Sequence, residues 1–156
     1  MIRVGLISDT HGLMRPEALA ALAGVSHIVH AGDIGSPEIL SQLRTIAPVT
    51  AIRGNNDKGA WAAGIAESEV LVIEGKSIYV LHDLAELDLN AAAAGFSVIV
   101  TGHSHKPAIA QKGEVLFVNP GSAGPRRFKL PISVGCLEID RGATRAQIHE
   151  LRLAAP

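Results

Sequence analysis

The sequence is poor in cysteine and in aromatic residues, and it has no long apolar run. Its one cysteine, Cys136, excludes an intrachain disulfide, a cysteine-rich zinc finger and a cysteine-ligated iron–sulfur cluster. No run approaches the ~18 to 20 apolar residues of a transmembrane helix, and the apolar N-terminus is too short for a secretory signal. We therefore expect a cytoplasmic protein without membrane contact.

An excess of one charge sign is also missing. Lys and Arg number 14 against 15 Asp and Glu, a net charge of -1, so no broad basic field is available for a nucleic-acid backbone. With 47% hydrophobic and 19% charged residues, the 156-residue chain is not disordered, and we expect a single domain over residues 1–156. The seven histidines outnumber the five aromatic residues, and an aliphatic core does not require them. We therefore look for function at the histidines.

The first third of the chain alternates apolar strands with amphipathic helices. This order predicts a parallel sheet with right-handed crossovers. The predicted strands are Ile2–Ser8, Ser26–His30 and Val49–Arg53, and the predicted helices are Pro16–Ala23 and a segment that begins at Ser36 and stops before Pro48.

The pattern then changes to a hairpin and shorter elements. Strands over Glu69–Ile73 and Ser77–Leu81 flank a turn signal, an Ala-rich helix is predicted over Glu86–Ala94, and Ser97–Val100 reads as a strand. The remainder predicts short strands around turns. The fold class is therefore α/β, a two-sheet mixed β-sandwich flanked by helices.

Polar side chains cluster where predicted strands end. In α/β sheets, ligands bind in loops at the carboxyl ends of strands, so these clusters are expected to converge. Carboxylate, imidazole and amide groups suit divalent metals, and seven ligands exceed the about four of a single zinc site. Two metals ~3.5–4 Å apart that share a carboxylate promote in-line displacement at phosphorus. The candidate ligands are Asp9, His11, Asp33, Asn55, His82, His103 and His105.

Taken in order, these motifs resemble those of the calcineurin-type metallophosphoesterases, and Asn119-Pro-Gly-Ser122 is similar to the small YfcE-type phosphodiesterases. The resemblance implies the metallophosphoesterase fold and hydrolysis of a small soluble phosphoester by a hydroxide that bridges two metals. It favours Mn²⁺, with Ni²⁺, Fe²⁺ or Zn²⁺ as alternatives, and a homodimer like those of the family. It gives the first metal to Asp9, His11, Asp33 and His105, and the second to Asp33, Asn55, His82 and His103.

Several neighbours complete the predicted site. We assign Asp33, Asn55, Asn56 and Asp57 to the catalytic machinery, with Asp57 orienting a ligand or a proton carrier. Asn56 stands where related phosphoprotein phosphatases carry a histidine acid, and its amide can bind a phosphate oxygen, as can Arg126. We therefore expect a preference for diesters or good leaving groups.

The roles of two further residues, Asp83 and His30, are open. Asp83, where many relatives have glycine, serves either a solvated turn, which we favour, or an imidazole as its partner. His30 is a candidate neighbour of the site.

Two other functions are alternatives to the phosphodiesterase interpretation. The first is a non-catalytic metal-binding scaffold. The retromer scaffold subunit resembles this family but has lost key ligand side chains, whereas here all seven positions carry competent ligands. A nuclease uses the same kind of site, but the balanced charge disfavours it.

Overall fold

Two mixed sheets of five strands each form the sandwich in this computed structural model, which describes residues 1–153. In the first sheet, three parallel strands are extended by two antiparallel ones, in the order β10-β9-β1-β2-β3. The parallel strands are β1 (Ile2–Ile7), β2 (His27–His30) and β3 (Val49–Ala51), and the antiparallel pair is β9 (Ser133–Asp140) and β10 (Ala143–Glu150).

The second sheet has the order β4-β5-β6-β8-β7, with parallel central strands and antiparallel edges. Its strands are β4 (Ser68–Ile73), β5 (Lys76–Leu81), β6 (Val98–Val100), β7 (Ala108–Lys112) and β8 (Val115–Asn119). The two-sheet mixed sandwich predicted from the sequence is confirmed.

Alternating residues of each buried strand face different layers of the core. Leu6 of β1 and Val29 of β2 face the second sheet, whereas their neighbours Ile7 and Ile28 face the helical layer. That layer contains α1 (Pro16–Ala21) and α2 (Pro37–Arg44), each with proline in its first turn. None of the helices in the described part of the chain is long and apolar enough to cross a membrane.

The helix predicted over Glu86–Ala94 is wrong. A 3₁₀ helix covers only Leu84–Glu86 and ends where Leu87 turns to extended backbone. The Asn90 side chain then accepts a hydrogen bond from the Ala93 N–H at 3.0 Å, which favours an isolated turn. Gly95 follows at φ 83°, so too few residues remain to offset the cost of helix nucleation.

The last two strands are longer than predicted, at eight residues each. They pair along their whole length because the turn at Arg141 and Gly142 adopts positive φ at both residues, 50° and 81°. The carboxyl ends of β1, β2 and β5 lie at the same end of the sandwich, where the polar clusters meet.

Candidate metal centre

Five proposed ligands have left-handed backbone conformations in the loops that follow their strands. Their φ angles lie between 47° and 71°, a region that side-chain-bearing residues rarely occupy. Such strain persists only where surrounding contacts hold it, and it concentrates at functional sites. The five residues are Asp9, His11, Asp33, His103 and His105.

Six of the predicted ligands form two neighbouring triads. Asp9, His11 and His105 make one cluster, and Asp33, His82 and His103 make the other, with the ligand atoms of each triad within 4.8 Å of one another. In the first triad, Asp9 Oδ1 lies 3.3 Å from His105 Nε2 and 3.9 Å from His11 Nε2. The grouping matches the two ligand sets that the resemblance implies for these six residues.

Asp33 lies between the triads. Its Oδ2 is 3.2 Å from His82 Nε2 in its own triad and 3.7 Å from His11 Nε2 in the other. Asn56 donates its backbone N–H to Asp33 Oδ1 at 2.9 Å and its side-chain amide to Oδ2 at 3.1 Å. The Asp33 carboxylate is therefore fixed where one oxygen faces both clusters.

The donor set suits divalent cations. Asp9 Oδ1 is buried without a hydrogen-bond partner, and the buried His82 Nε2 has only the Asp33 carboxylate 3.2 Å away, which is costly unless something else binds them. His82 Nδ1 lies 2.7 Å from the Ala31 carbonyl, to which it donates, so the neutral ring directs its Nε2 lone pair into the site. The residues present therefore fit a pair of metal ions.

Charge and burial compete at this centre. Burial would raise the pKa of Asp33, but hydrogen bonds from His82 and Asn56 outweigh it and lower that pKa. Burial would lower the pKa of His82, but the hydrogen bonds to Asp33 and Ala31 raise it to about 8. Burial raises the pKa of Asp9 and lowers that of His105. In the absence of metal, Asp33 and His82 thus form an ion pair, and a cation would replace its proton.

Asp57 connects two ligand loops. Its carboxylate is buried and accepts three backbone N–H bonds, from Ile34, Gly35 and Gly54, at 2.9–3.0 Å. These donors follow Asp33 and precede Asn55, so Asp57 holds the two loops together. It acts as a positioning residue for the ligands rather than as a group facing the centre.

His30 connects two other ligand loops. Thr10 donates to the Ile34 carbonyl, so its hydroxyl accepts from His30 Nε2 at 3.0 Å, while His30 Nδ1 accepts from the Gly32 N–H at 3.1 Å. His30 is fully buried, and burial lowers its pKa to about 3. A neutral imidazole therefore joins the segment of Asp9 and His11 to the residue before Asp33.

Further contacts fix the first triad and the turn after β6. Ser8 Oγ donates to Asp9 Oδ2 at 2.7 Å, and the His103 N–H donates to the same oxygen at 3.1 Å. Asn119 donates to the Gly102 carbonyl at 2.9 Å, and Ser122 donates to the Asp9 carbonyl at 3.0 Å. The Asn119–Ser122 turn thus supports one side of the site.

Two charged residues, Asp83 and Arg126, make contacts outside the two triads. Asp83 Oδ1 accepts from the Ala85 N–H in the favoured turn, but Oδ2 also lies 3.7 Å from His103 Nε2, so it faces an imidazole as well. Arg126 donates to the Leu130 carbonyl at 3.1 Å and holds its own loop. Burial is the main cause that lowers the pKa of His105, and the positive charge of Arg127, the neighbour of Arg126, lowers it further.

One cavity beside the centre includes a residue that the sequence did not single out. A polar cavity of about 350 Å³, the polar cavity hereafter, is lined by Asn55, His82 and His103 together with Arg53, Glu67 and Glu86. Arg53 pairs with Glu67 at 3.2 Å, and Arg53 Nε is buried without a partner. The position of Arg53 directly before Gly54-Asn55 is the feature of the sequence that could have identified it.

A family model for the calcineurin-like phosphoesterase superfamily domain matches residues 2–142. The chain belongs to this superfamily. A probable metallophosphoesterase of Methanothermobacter thermautotrophicus is 35% identical over 98% of this chain and 94% of that protein. The phosphodiesterase YfcE of Escherichia coli is 27% identical over 90% of this chain and 89% of its own. The predicted family resemblance is confirmed.

A solved structure shares the fold of this calcineurin-like domain. An archaeal phosphodiesterase superposes with a TM-score of 0.79 at 20% identity, covering 95% of this chain and 100% of that one.

We expect Asp57→Asn to destabilise the metal-free protein by about 3 kcal/mol, because charged hydrogen bonds contribute ~1.5–3 kcal/mol each and the amide cannot accept all three. Urea unfolding monitored by circular dichroism measures this loss. The matched control is Asp88→Asn, at an exposed carboxylate. Equal stability of the two variants would show that Asp57 does not hold the loops.

We expect His30 to make the metal-free protein less stable as the pH falls. Unfolded His30 takes up a proton near pH 6.5, whereas the folded ring resists protonation to about pH 3. Between these values the unfolded state binds more protons, so stability falls by up to about 1.4 kcal/mol per pH unit. His30→Gln should flatten the dependence in urea unfolding at pH 7, 6 and 5. Replacing the exposed His149 with Gln should not, and an unchanged slope in His30→Gln would contradict the assignment.

Proposed function

We propose that this protein is a dinuclear-metal phosphodiesterase that hydrolyses a small phosphate ester. The observation that carries the proposal is the position of Asp33 Oδ2, which lies within 3.7 Å of an imidazole nitrogen from each triad. The family places the chain among phosphoesterases, and its relative YfcE is named a phosphodiesterase. Two clusters joined by one carboxylate suit a phosphoryl group held between two cations.

The protein residues would hold and orient the reacting groups. Asp9, His11 and His105 would bind one cation, Asn55, His82 and His103 the other, and Asp33 both. Divalent cations bound there would lower the pKa of water and neutralise charge on the phosphoryl oxygens. We propose Mn²⁺, since mixed imidazole and carboxylate ligands accept it, although affinity order alone does not select it.

Asn56 defines the leaving-group chemistry in this proposal. Its amide donates to Asp33 at 3.1 Å and has a second N–H available to a phosphoryl oxygen. An amide cannot protonate a departing alkoxide, so the substituent must leave as a stable anion. Esters with acidic leaving groups are therefore the expected substrates.

Turnover separates the phosphodiesterase from the two competing functions. A non-catalytic metal-binding scaffold would also satisfy the buried Asp9 oxygen with a cation, but it would not hydrolyse a small diester when Mn²⁺ is added. A nuclease needs a basic surface, and the net charge is -1. Turnover of a small aryl diester that long single-stranded DNA fails to inhibit would favour the phosphodiesterase, and inhibition by the DNA would favour the nuclease.

We expect Asp33→Asn to reduce turnover of bis(4-nitrophenyl) phosphate to background and to lower bound Mn²⁺, because the amide weakens the link between both clusters. Turnover with added Mn²⁺ and metal content by mass spectrometry measure the two effects. His103→Ala and His105→Ala should each lower metal content, and Asp88→Asn is the matched control. Near-normal turnover and occupancy in Asp33→Asn would reject the dinuclear proposal.

We expect aryl diesters to be hydrolysed much faster than alkyl diesters, because general-acid assistance worth about 10²–10⁴-fold is missing at Asn56. Initial rates on methyl 4-nitrophenyl phosphate and on dialkyl phosphates, at equal Mn²⁺, test this expectation. Equal efficiency on both classes would mean that another residue protonates the leaving group.

A further inference from the structure

A second cavity opens beside the metal centre on the outer face of the second sheet. It has a volume of about 330 Å³, and we call it the side pocket, defined by Leu84, Ala108, Ala110, Lys112 and Phe117. His103 and Asp83 line both the side pocket and the polar cavity, so the two cavities adjoin at a proposed metal ligand. A phosphoester bound at His103 could therefore extend a substituent into either one.

The sheet register explains the shape of the side pocket. In the β7–β8 pair, Ala108 is opposite Asn119 and Ala110 is opposite Phe117, and opposed residues share a face. The segment after the 3₁₀ helix packs on the same outer face nearer β5, around Leu81 and Ile99. The two alanines carry only methyl groups, so a depression remains, with the half-buried Phe117 ring in its wall.

The two cavities differ in charge. In the polar cavity, Arg53 is paired with Glu67, so Glu86 and Asp83 leave it net negative. The side pocket instead carries two lysines, Lys106 and Lys112, against the shared Asp83, so its lining is net positive by one charge. The Lys112 ammonium lies over the Phe117 ring, 4.9 Å from its centre. An apolar substituent with negative charge at its far edge thus fits the side pocket and is repelled by the polar cavity.

We propose that the side pocket binds one ester substituent of the substrate, and that this substituent is a flat, largely apolar ring with an anionic group at its far edge. This inference rests on the proposed function. The half-buried Phe117 ring supplies an apolar wall, the alanines supply room, and the lysines supply the counter-charge. The remainder of the substrate would stay at the metal centre.

Binding of two phosphonates to the Mn²⁺-loaded full chain tests the pocket. Methylphosphonate and phenylphosphonate share the head group and differ by the ring, and isothermal titration calorimetry compares them without turnover. We expect phenylphosphonate to bind at least about tenfold tighter, the scale of burying one aromatic ring. Ala110→Leu should abolish this preference while keeping methylphosphonate affinity.

The control for that variant is Gln111→Leu, which adds an apolar side chain to the opposite face of the same strand and should keep the preference. Ala108→Leu is a second filling variant if Ala110→Leu does not fold. Retention of the preference in a folded filling variant would overturn the proposal. If methylphosphonate binds and phenylphosphonate binds no tighter, the side-pocket proposal is wrong and the proposed function is unaffected. If neither phosphonate binds, the proposed function fails.

A separate binding comparison tests the negative charge of the proposed substituent. We expect 4-carboxyphenylphosphonate to bind several-fold tighter than phenylphosphonate, with the gain lost in Lys112→Gln and kept in Lys129→Gln, on a different loop. No gain in the unaltered protein, or a gain that survives Lys112→Gln together with Lys106→Gln, would reject the anionic edge.

Discussion

The contact between Asp33 and the two histidine clusters is the interaction on which the rest of the centre depends. One carboxylate oxygen faces His82 at 3.2 Å and His11 at 3.7 Å, and Asn56 fixes the carboxylate through both of its oxygens. To reach that place Asp33 adopts φ 53°, which costs of order 1–3 kcal/mol for a non-glycine residue. The surrounding fold must therefore hold a conformation that the backbone alone would not keep.

Hydrogen bonds between loops supply that restraint. Asp57 accepts three backbone N–H groups, and His30 joins the loops after β1 and β2 through Thr10 and Gly32. The close packing of the Gly54 backbone against Asp33 adds to this restraint, because a Cβ at Gly54 would collide with the Asp33 carboxylate. Most of the polar network thus holds ligands in place, and few of its members face the space where a substrate would bind.

Sequence reasoning identifies the sandwich and brings the candidate ligand residues together at one end of it, because both rest on local patterns. Apolar runs end at Asp9, Asp33 and His82, and parallel strands bring such ends together. It fails at Glu86–Ala94, where helix-forming composition is overridden by the Asn90 side chain. It also misses Arg53 and the side pocket. The pocket forms because Ala110 lies opposite Phe117, and this pairing depends on a strand register that the sequence of neither strand specifies alone.

The central claim is that two metal ions bind here with Asp33 between them. The most direct measurement is a crystal structure of the Mn²⁺-soaked protein, with anomalous diffraction recorded at the manganese edge. The account predicts two anomalous peaks ~3.5–4 Å apart, one in each triad, with an Asp33 oxygen within bonding distance of both. A single peak, or two peaks that Asp33 does not join, would contradict it.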